Sequence, residues 1–291
     1  MGKIKFLTDT ASDLPLKEAQ AAGIDVLSFM LTVDGQSYAE QRDLSKEEFY
    51  DLLAHNDELP TTSQITAYTF EEVFRQYLDE GYTDVIYLGI NARGSATYQN
   101  ACNARDALYE EFPESTADMR IHILDSENYT VTYGYPLLVA AQMAQQGADV
   151  EEILRYLEHW IAHVAVYFVP MTLRYVRKSG RLTSVAAFAG EILGLRPIIR
   201  IAHGEITVAE KIRGEKNIVA KLTEKALSVI DSDAPYIMIH GTSDVYAGEV
   251  EAALTERLGY PPVYRAKIGS AVAINAGYDL VAVAMLERSG E

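Results

Sequence analysis

Short apolar segments alternate with segments of helical pattern along the first part of the chain, and this alternation limits the possible folds more than any other feature. Residues 4–7, 84–90 and 120–124 are predicted strands, whereas residues 95–112 and 150–163 are predicted helices. A parallel strand pair needs a long crossover connection, which is usually a helix. The sequence therefore predicts an α/β fold whose first domain has a mainly parallel sheet covered by helices on both faces.

Capping signals predict several helix boundaries. Residues 45–48 and 69–72 each carry a hydroxyl followed three residues later by a glutamate, which is the capping-box pattern. These patterns predict helices that begin at Lys46 and Phe70. A further helix is predicted over residues 137–146, and Asp34-Gly35 indicates a hairpin turn.

A second series of strands and helices begins near Ala165. Its predicted strands cover residues 165–169, 196–201, 206–210, 236–240 and 279–286, and its predicted helices cover residues 184–193, 216–230 and 248–258. No Gly/Ser/Pro-rich linker separates this series from the first. We therefore expect two α/β domains, residues 1–163 and 164–291, that pack closely with a ligand site between them.

The chain is strongly acidic. Its 42 Asp and Glu residues against 25 Lys and Arg residues give a formal net charge of −17. Nucleic acids and anionic membranes attract basic surfaces, so we expect neither as a partner. Small molecules or other proteins are the expected partners.

The sequence also predicts a compartment. The longest uncharged run, residues 128–148, contains Pro136 and several glutamines, which favours a helix with a buried face over an integral membrane segment. A single cysteine, Cys102, cannot form an internal disulfide, and the first residues do not resemble a signal peptide. We expect a cytoplasmic protein.

Three short segments, residues 8–15, 61–64 and 94–99, are rich in hydroxyls, and at least two of them follow a predicted strand and precede a predicted helix. In an open α/β sheet this edge is where ligands bind. Hydroxyls and free backbone N–H groups there suit an anionic head group such as a carboxylate or phosphate. The alternative is that each Ser, Thr or Asp simply caps its helix.

Other catalytic and metal-binding patterns are weak. His159 and His163 are four residues apart on a predicted helix, but no Glu or Cys pattern completes a metal site, so we expect neither a metal nor a cofactor. The sequence has no G-x-S-x-G, Walker A or G-x-G-x-x-G motif. Hydrolase, P-loop kinase and dinucleotide-binding functions therefore lack their usual motifs.

Positive charge is concentrated between residues 171 and 204, against the single acid Glu191. The basic residues are Arg174, Arg177, Lys178, Arg181, Arg196 and Arg200. They could meet a phosphate, a partner that carries a nucleotide, or the head group of a ligand. For the individual residues other than Arg181, a solvated helix face is the favoured interpretation.

Seven motifs occur in the order and spacing of the DegV family, and together they span nearly the whole chain. They are the segments 8–15, 62–64, 95–101, 125–126, 173–182, 196–198 and 240–241. The sequence resembles this family of fatty-acid-binding proteins. The resemblance implies two α/β domains that enclose a long apolar tunnel and a bound long-chain fatty acid. It also implies a non-catalytic carrier, which in some relatives presents the fatty-acid carboxylate to a separate kinase subunit.

The resemblance assigns roles to particular residues. It places Thr62, Ser63, Ser95, Thr97 and Asn275 at the fatty-acid carboxylate, and Arg181 at a possible kinase or phosphate contact.

The chain departs from the family pattern at a few positions. Asn91 and Ala92 stand where the family usually has serines, Ala96 replaces a glycine, and Asn275 replaces a histidine, which removes a hydroxyl and a group able to shuttle a proton. The fold is also similar to one domain of dihydroxyacetone kinases. An enzyme acting on a small phosphorylated or carbonyl substrate is therefore the alternative function.

Overall fold

The computed structural model describes residues 2–55, 59–180, 194–231 and 233–288. The chain divides into two compact units: unit 1 comprises Met1–Ser45 and Thr61–Ile161, and unit 2 comprises Lys46–Pro60 and Ala162–Glu291. Residues 46–60 thus belong to unit 2, although the predicted domain ranges place them in the first domain. The predicted helix over residues 184–193 and the predicted contact residue Arg181 lie outside the described residues.

The described strands and helices follow the order expected of an α/β protein. The strands are β1 (Ile4–Asp9), β2 (Ile24–Leu27), β3 (Met30–Val33), β4 (Gln36–Ala39), β5 (Thr61–Ser63), β6 (Asp84–Gly89), β7 (Arg120–Asp125), β8 (Val164–Pro170), β9 (Leu195–Ala202), β10 (Glu205–Arg213), β11 (Tyr236–His240), β12 (Tyr264–Lys267) and β13 (Leu280–Leu286). The helices are α1 (Leu16–Ala21), α2 (Lys46–His55), α3 (Ala67–Asp79), α4 (Thr97–Glu111), α5 (Val131–Gln145), α6 (Val150–His163), α7 (Arg174–Ser179), α8 (Ile218–Val229), α9 (Val245–Leu258) and α10 (Ser270–Ala276).

Unit 1 is built on a four-stranded parallel sheet, as predicted. The strand order is β2-β1-β6-β7, and each neighbouring pair runs parallel. The central strands β1 and β6 are mostly buried, which is expected where helices pack on a parallel sheet. Helix α5 contacts β1 and β6, whereas α1 contacts β2 and α4 contacts β7. The α/β fold class predicted from the alternation is confirmed.

A small antiparallel sheet in the order β4-β3-β5 extends unit 1. The hairpin turn between β3 and β4 is Asp34-Gly35, both with positive φ, as the sequence predicts. Thr61–Ser63, in the hydroxyl-rich segment 61–64, is an edge strand that pairs with β3, with Thr62 opposite Leu31. The β-branched threonines of this segment favour a strand. The strand is too short to show a clear alternation of polar and apolar residues, so the pairing was not predicted.

Unit 2 contains a six-stranded mixed sheet in the order β10-β9-β8-β13-β11-β12. Strand β8 is buried along its whole length, between β13 and β9. Helix α2 belongs here because the Tyr50 hydroxyl donates to the carbonyl of Ile268 at 2.5 Å and Lys46 Nζ donates to the carbonyl of Lys267 at 2.7 Å. These contacts hold the loop after β12.

Three predicted helix starts are wrong, because α3, α5 and α9 all begin earlier than predicted; α9 begins at Val245, three residues before the predicted start. Helix α3 begins at Ala67 because Thr66, not Thr69, is the N-cap, and its hydroxyl accepts from the Thr69 N–H at 3.2 Å. Helix α5 begins at Val131, six residues before the predicted start, and runs through Pro136. Pro136 cannot donate to the carbonyl of Thr132, which instead accepts from Trp160 Nε1 at 2.8 Å. A partner on α6 thus replaces the bond that the proline removes.

Within the described ranges, none of the helices has the length and apolar character needed to cross a membrane. The uncharged run of residues 128–148 forms α5, which is largely buried in the protein. Its interpretation as a buried helix is confirmed.

Candidate functional site

The topology of the parallel sheet marks one place in unit 1 for a ligand. The chain passes from β1 to β2 on one side and from β6 to β7 on the other, so that the adjacent strands β1 and β6 form a switch point. In open α/β sheets, ligands bind beyond the carboxyl ends of the strands at such a point. The hydroxyl-rich segments after β1 and β6 both lie there, as the sequence predicts.

The last residue of β1, Asp9, is the centre of a buried hydrogen-bond network. Its Oδ1 accepts from the Tyr133 hydroxyl at 2.7 Å and from the Ala11 N–H at 3.1 Å. Its Oδ2 accepts from the Tyr87 hydroxyl at 2.9 Å and from the Ile90 N–H at 3.2 Å. Burial raises the pKa of Asp9 to about 6, although all of these hydrogen bonds act to lower it.

The loop after β1 is held by further buried side chains. The Thr10 hydroxyl donates to Glu40 Oε2 at 2.7 Å and accepts from the Phe29 N–H at 3.0 Å. Asp13 accepts from the Thr130 hydroxyl at 2.5 Å, and both residues have positive φ. A β-branched residue with φ of +58° is a strained backbone conformation, and such conformations cluster at functional sites.

The loop after β6 is built around Asn91. Its N–H donates to the carbonyl of Asn128 at 3.0 Å, and its carbonyl accepts from the N–H groups of Gly94 and Ser95. Asp125 Oδ1 accepts from the Ala92 N–H at 3.0 Å, and burial raises the pKa of Asp125. These bonds tie the loop to the carboxyl end of β7. Ser95 is thereby fixed just before helix α4.

Helix α4 and strand β5 are joined through Ile65. The Thr97 hydroxyl accepts from the Ile65 N–H at 3.3 Å, and Asn100 Nδ2 donates to the carbonyl of Ile65 at 2.7 Å. Thr97 Oγ1 also lies 2.9 Å from Ser95 Oγ. Ser63 is two residues from Ile65, so this clamp brings the end of β5 to the start of α4. Two hydroxyl-rich segments that are about 30 residues apart in sequence thus meet.

The predicted carboxylate-binding residues in unit 1 differ in exposure. Ser63 is exposed and Thr62 and Ser95 are half-buried, whereas Thr97 is fully buried. The hydroxyl of Ser95 accepts from the Thr97 N–H at 3.3 Å, although Ala96 occupies the N-cap position. The capping and binding roles predicted for Ser95 are compatible, because a hydroxyl can donate while it accepts.

The remaining predicted residues that the structure describes belong to unit 2. Asn275 is half-buried in α10 of unit 2, where its Nδ2 donates to the carbonyl of Ala271 at 2.8 Å. Two members of the basic segment form ion pairs. Arg196 pairs with Glu215 at 3.0 Å, and Arg200 forms two hydrogen bonds with Glu287. Both arginines lie on strand β9 and are paired with acids, so the solvated helix face predicted for them is wrong.

The network around Asp9 was not predicted from the sequence. Tyr87 and Tyr133 are 78 and 124 residues away from Asp9, and no local pattern connects them. The sequence does show an aspartate at the end of an apolar strand. A carboxylate buried there needs buried hydrogen-bond donors, so this position could have indicated such a network. Among the described residues, no cluster of three or more His, Cys, Asp or Glu side chains can hold a metal ion.

Comparisons with known proteins agree with the fold. The family model described as "Uncharacterised protein, DegV family" matches residues 3–288. A DegV domain-containing protein of Caldanaerobacter subterraneus subsp. tengcongensis is 32% identical over 290 residues, which cover 99% of this chain and 100% of the relative.

Solved structures are similar over the same length. A fatty acid binding DegV family protein from Streptococcus agalactiae superimposes with a TM-score of 0.86 at 26% identity, covering 99% of this chain and 100% of that one. A stearic-acid-binding protein from Eubacterium ventriosum has a TM-score of 0.85 at 21% identity, covering 99% of this chain and 98% of that one. The sequence match over nearly the whole chain and the shared fold lead to one conclusion: this chain belongs to the DegV family.

Proposed function

We propose that this protein binds a long-chain fatty acid and carries it without catalysing a reaction of its own. The carboxylate lies at the carboxyl edge of the parallel sheet in unit 1, and the tail lies in an interior apolar tunnel. The observation that carries the proposal is the meeting of the hydroxyl-rich segments at the start of α4, at the switch point of the sheet. The relative from Streptococcus agalactiae, which is described as fatty acid binding, supports it.

The site residues take different parts in the proposal. Thr62, Ser63 and Ser95 donate to the carboxylate, because their hydroxyls are exposed or half-buried beside a helix start. Thr97 helps to position these residues, since its buried hydroxyl accepts a hydrogen bond from the Ile65 N–H. Asn275 is an additional amide donor, by resemblance to the family.

Most of the affinity comes from the tail. Each CH₂ group removed from water contributes about 0.8 kcal/mol, so a long acyl chain supplies far more free energy than the head group. Residues 161–169 and 185–195 are the proposed apolar lining, and those numbered 185–193 lie outside the described residues. The head group then sets the orientation of the ligand.

A direct test begins with the ligand itself. Extraction and mass spectrometry of the purified protein should yield a long-chain fatty acid, and the delipidated protein should bind palmitate one to one in a calorimetric titration. A folded, delipidated protein without saturable binding would overturn the carrier proposal. A small phosphorylated or carbonyl ligand in its place would favour the enzymatic alternative.

Replacing Thr62 and Ser95 together by alanine should weaken palmitate binding by about 1 to 3 kcal/mol, the range for hydrogen bonds to a charged group. Thr66→Ala is the matched control, because it removes a hydroxyl that caps α3 and lies outside the proposed head-group contacts. The control should lose about 1 kcal/mol of stability and keep its affinity. Unchanged affinity in the double variant would show that the carboxylate binds elsewhere.

We further propose that the protein presents the carboxylate to a separate fatty-acid kinase. One guanidinium close to the transferring phosphoryl group would stabilise its charge, and Arg181 is the proposed residue. Arg181→Ala should leave palmitate affinity within a few fold and strongly reduce acyl phosphate formed with the cognate kinase. If the unmodified protein is inactive with the kinase and Asn275→His restores activity, the function is storage or transport alone.

A further inference from the structure

The buried carboxylate of Asp9 joins the loops that follow β1 and β6 at the edge of the parallel sheet, and the second of these leads to Ser95. Oδ1 accepts from the N–H of Ala11 in the loop after β1, and Oδ2 accepts from the N–H of Ile90 in the loop after β6. Tyr87 on β6 and Tyr133 on α5 each donate a hydroxyl to the same group. One fully buried side chain thus holds four donors from separate elements.

The four donors are not equivalent. A tyrosine hydroxyl can turn and accept a hydrogen bond, whereas a backbone N–H can only donate. The ionised carboxylate accepts from all four groups. A protonated carboxyl carries a hydrogen on one oxygen, and that oxygen then faces an N–H and a hydroxyl. The hydroxyl can adapt, but the backbone bond at that oxygen is weakened, and one of the two loops loses its anchor.

The loop after β6 leads directly to Ser95. Ile90 precedes Asn91, whose carbonyl accepts from the N–H groups of Gly94 and Ser95. A weaker Ile90 anchor therefore changes the position of Ser95, although the side chain of Asp9 is itself fully buried. We propose that Asp9 is a positioning residue for the head-group site, so that affinity for the fatty acid depends on the ionisation of its carboxylate. This inference rests on the proposed function.

The surroundings of Asp9 allow this ionisation near neutral pH. Burial raises the pKa of Asp9 to about 6, and the four hydrogen bonds keep it from rising further. The other titratable and charged groups that face this network are Tyr87, Tyr133, Asp13, Asp125, Cys102 and, through Thr10, Glu40. Four of these groups are acids or a thiol that add no positive charge to stabilise the carboxylate. The hydrogen bonds alone do so.

The test compares Asp9→Asn with the unmodified protein in palmitate titrations between pH 5 and pH 8. Titration of palmitate itself affects both proteins equally, so the ratio of their dissociation constants reports on Asp9. An asparagine has one amide oxygen and one NH₂ group, so either the Ala11 N–H or the Ile90 N–H loses its acceptor at every pH. We expect the ratio to rise from near one at pH 5 to about ten at pH 8, the effect of one lost hydrogen bond.

Two further variants keep the test decisive if Asp9→Asn folds poorly. Tyr133→Phe removes one donor to the charged form, so the pH at which affinity falls should move upwards. Thr8→Val is the matched control, since it removes a buried hydroxyl on the same strand that donates to the carbonyl of Leu88, and it leaves the Asp9 carboxylate in place. Its pH profile should equal that of the unmodified protein.

The outcomes are distinct. No palmitate binding by the unmodified protein at any pH would refute the proposed function. Binding with a ratio that does not change with pH, together with an unshifted profile for Tyr133→Phe, would leave that function intact and refute the positioning role of Asp9.

Discussion

The ionisation of Asp9 should be visible in the stability of the protein. The pKa of Asp9 is raised from the ordinary value of 3.8 to about 6 in the folded state. The folded protein therefore holds this proton more tightly than the unfolded chain does. The free energy of unfolding falls as pH rises from the pKa of Asp9 in the unfolded chain to its pKa in the folded protein. The full difference between these two pKa values corresponds to about 3 kcal/mol.

The variant Asp9→Asn isolates this contribution, because an asparagine has no proton to lose. The free energy of unfolding of the variant minus that of the unmodified protein should increase with pH. About half of the full difference falls between pH 5 and pH 8, so we expect an increase of about 1.4 kcal/mol across this range. Urea unfolding at several pH values, followed by tryptophan fluorescence, gives both curves.

A constant offset between the two proteins would refute the reasoning, as would a difference that decreases with pH. Thr8→Val serves as the control for a buried polar residue on the same strand. It removes the hydrogen bond to the carbonyl of Leu88 and leaves the carboxylate in place. Its difference from the unmodified protein should not vary with pH.

Two other substitutions test packing and charge. Gly134→Ala places a methyl group 2.6 Å from the carbonyl oxygen of Ser12. We expect the free energy of unfolding in urea to fall by about 1 to 3 kcal/mol, although alanine has the higher helix propensity. Equal or higher stability would contradict this close contact. Arg200→Gln leaves the half-buried Glu287 without its guanidinium partner. The free energy of unfolding at pH 7 should therefore fall by about 2 kcal/mol. A change below about 0.5 kcal/mol would show that the pair is only a surface contact.

Local sequence patterns predicted the framework of unit 1. The parallel strands and α4 follow from periodicity, and the positions of the two loops at the sheet edge follow from the β/α order. The start of α5 did not follow, because Pro136 normally marks the first turn of a helix. Pro136 is accepted five residues after the start of α5 because Trp160, on the next helix, donates to the carbonyl that the proline cannot reach. No local pattern identifies this partner.

The candidate site was predictable only in part. Hydroxyl-rich segments could be read directly, and so could their place after strands. The clamp of Ile65 by Thr97 and Asn100 depends on a contact between β5 and α4, whose partners are more than 30 residues apart. The network of Asp9 depends on burial of two distant tyrosines. Such long-range polar contacts have no periodic signature, so they become visible only in the folded structure.

The assignment of Lys46–Pro60 to unit 2 has a consequence for synthesis on the ribosome. Tyr50 of α2 bonds to the carbonyl of Ile268, which is made 218 residues later. At about 5 to 20 residues per second, α2 waits about 10 to 45 s for this partner. Its apolar side chains Phe49 and Leu53, buried in the final fold, lack their docking site during that time. Unit 1 can form its parallel sheet first, but the nascent chain then carries an amphipathic helix whose partners in unit 2 have not yet been made.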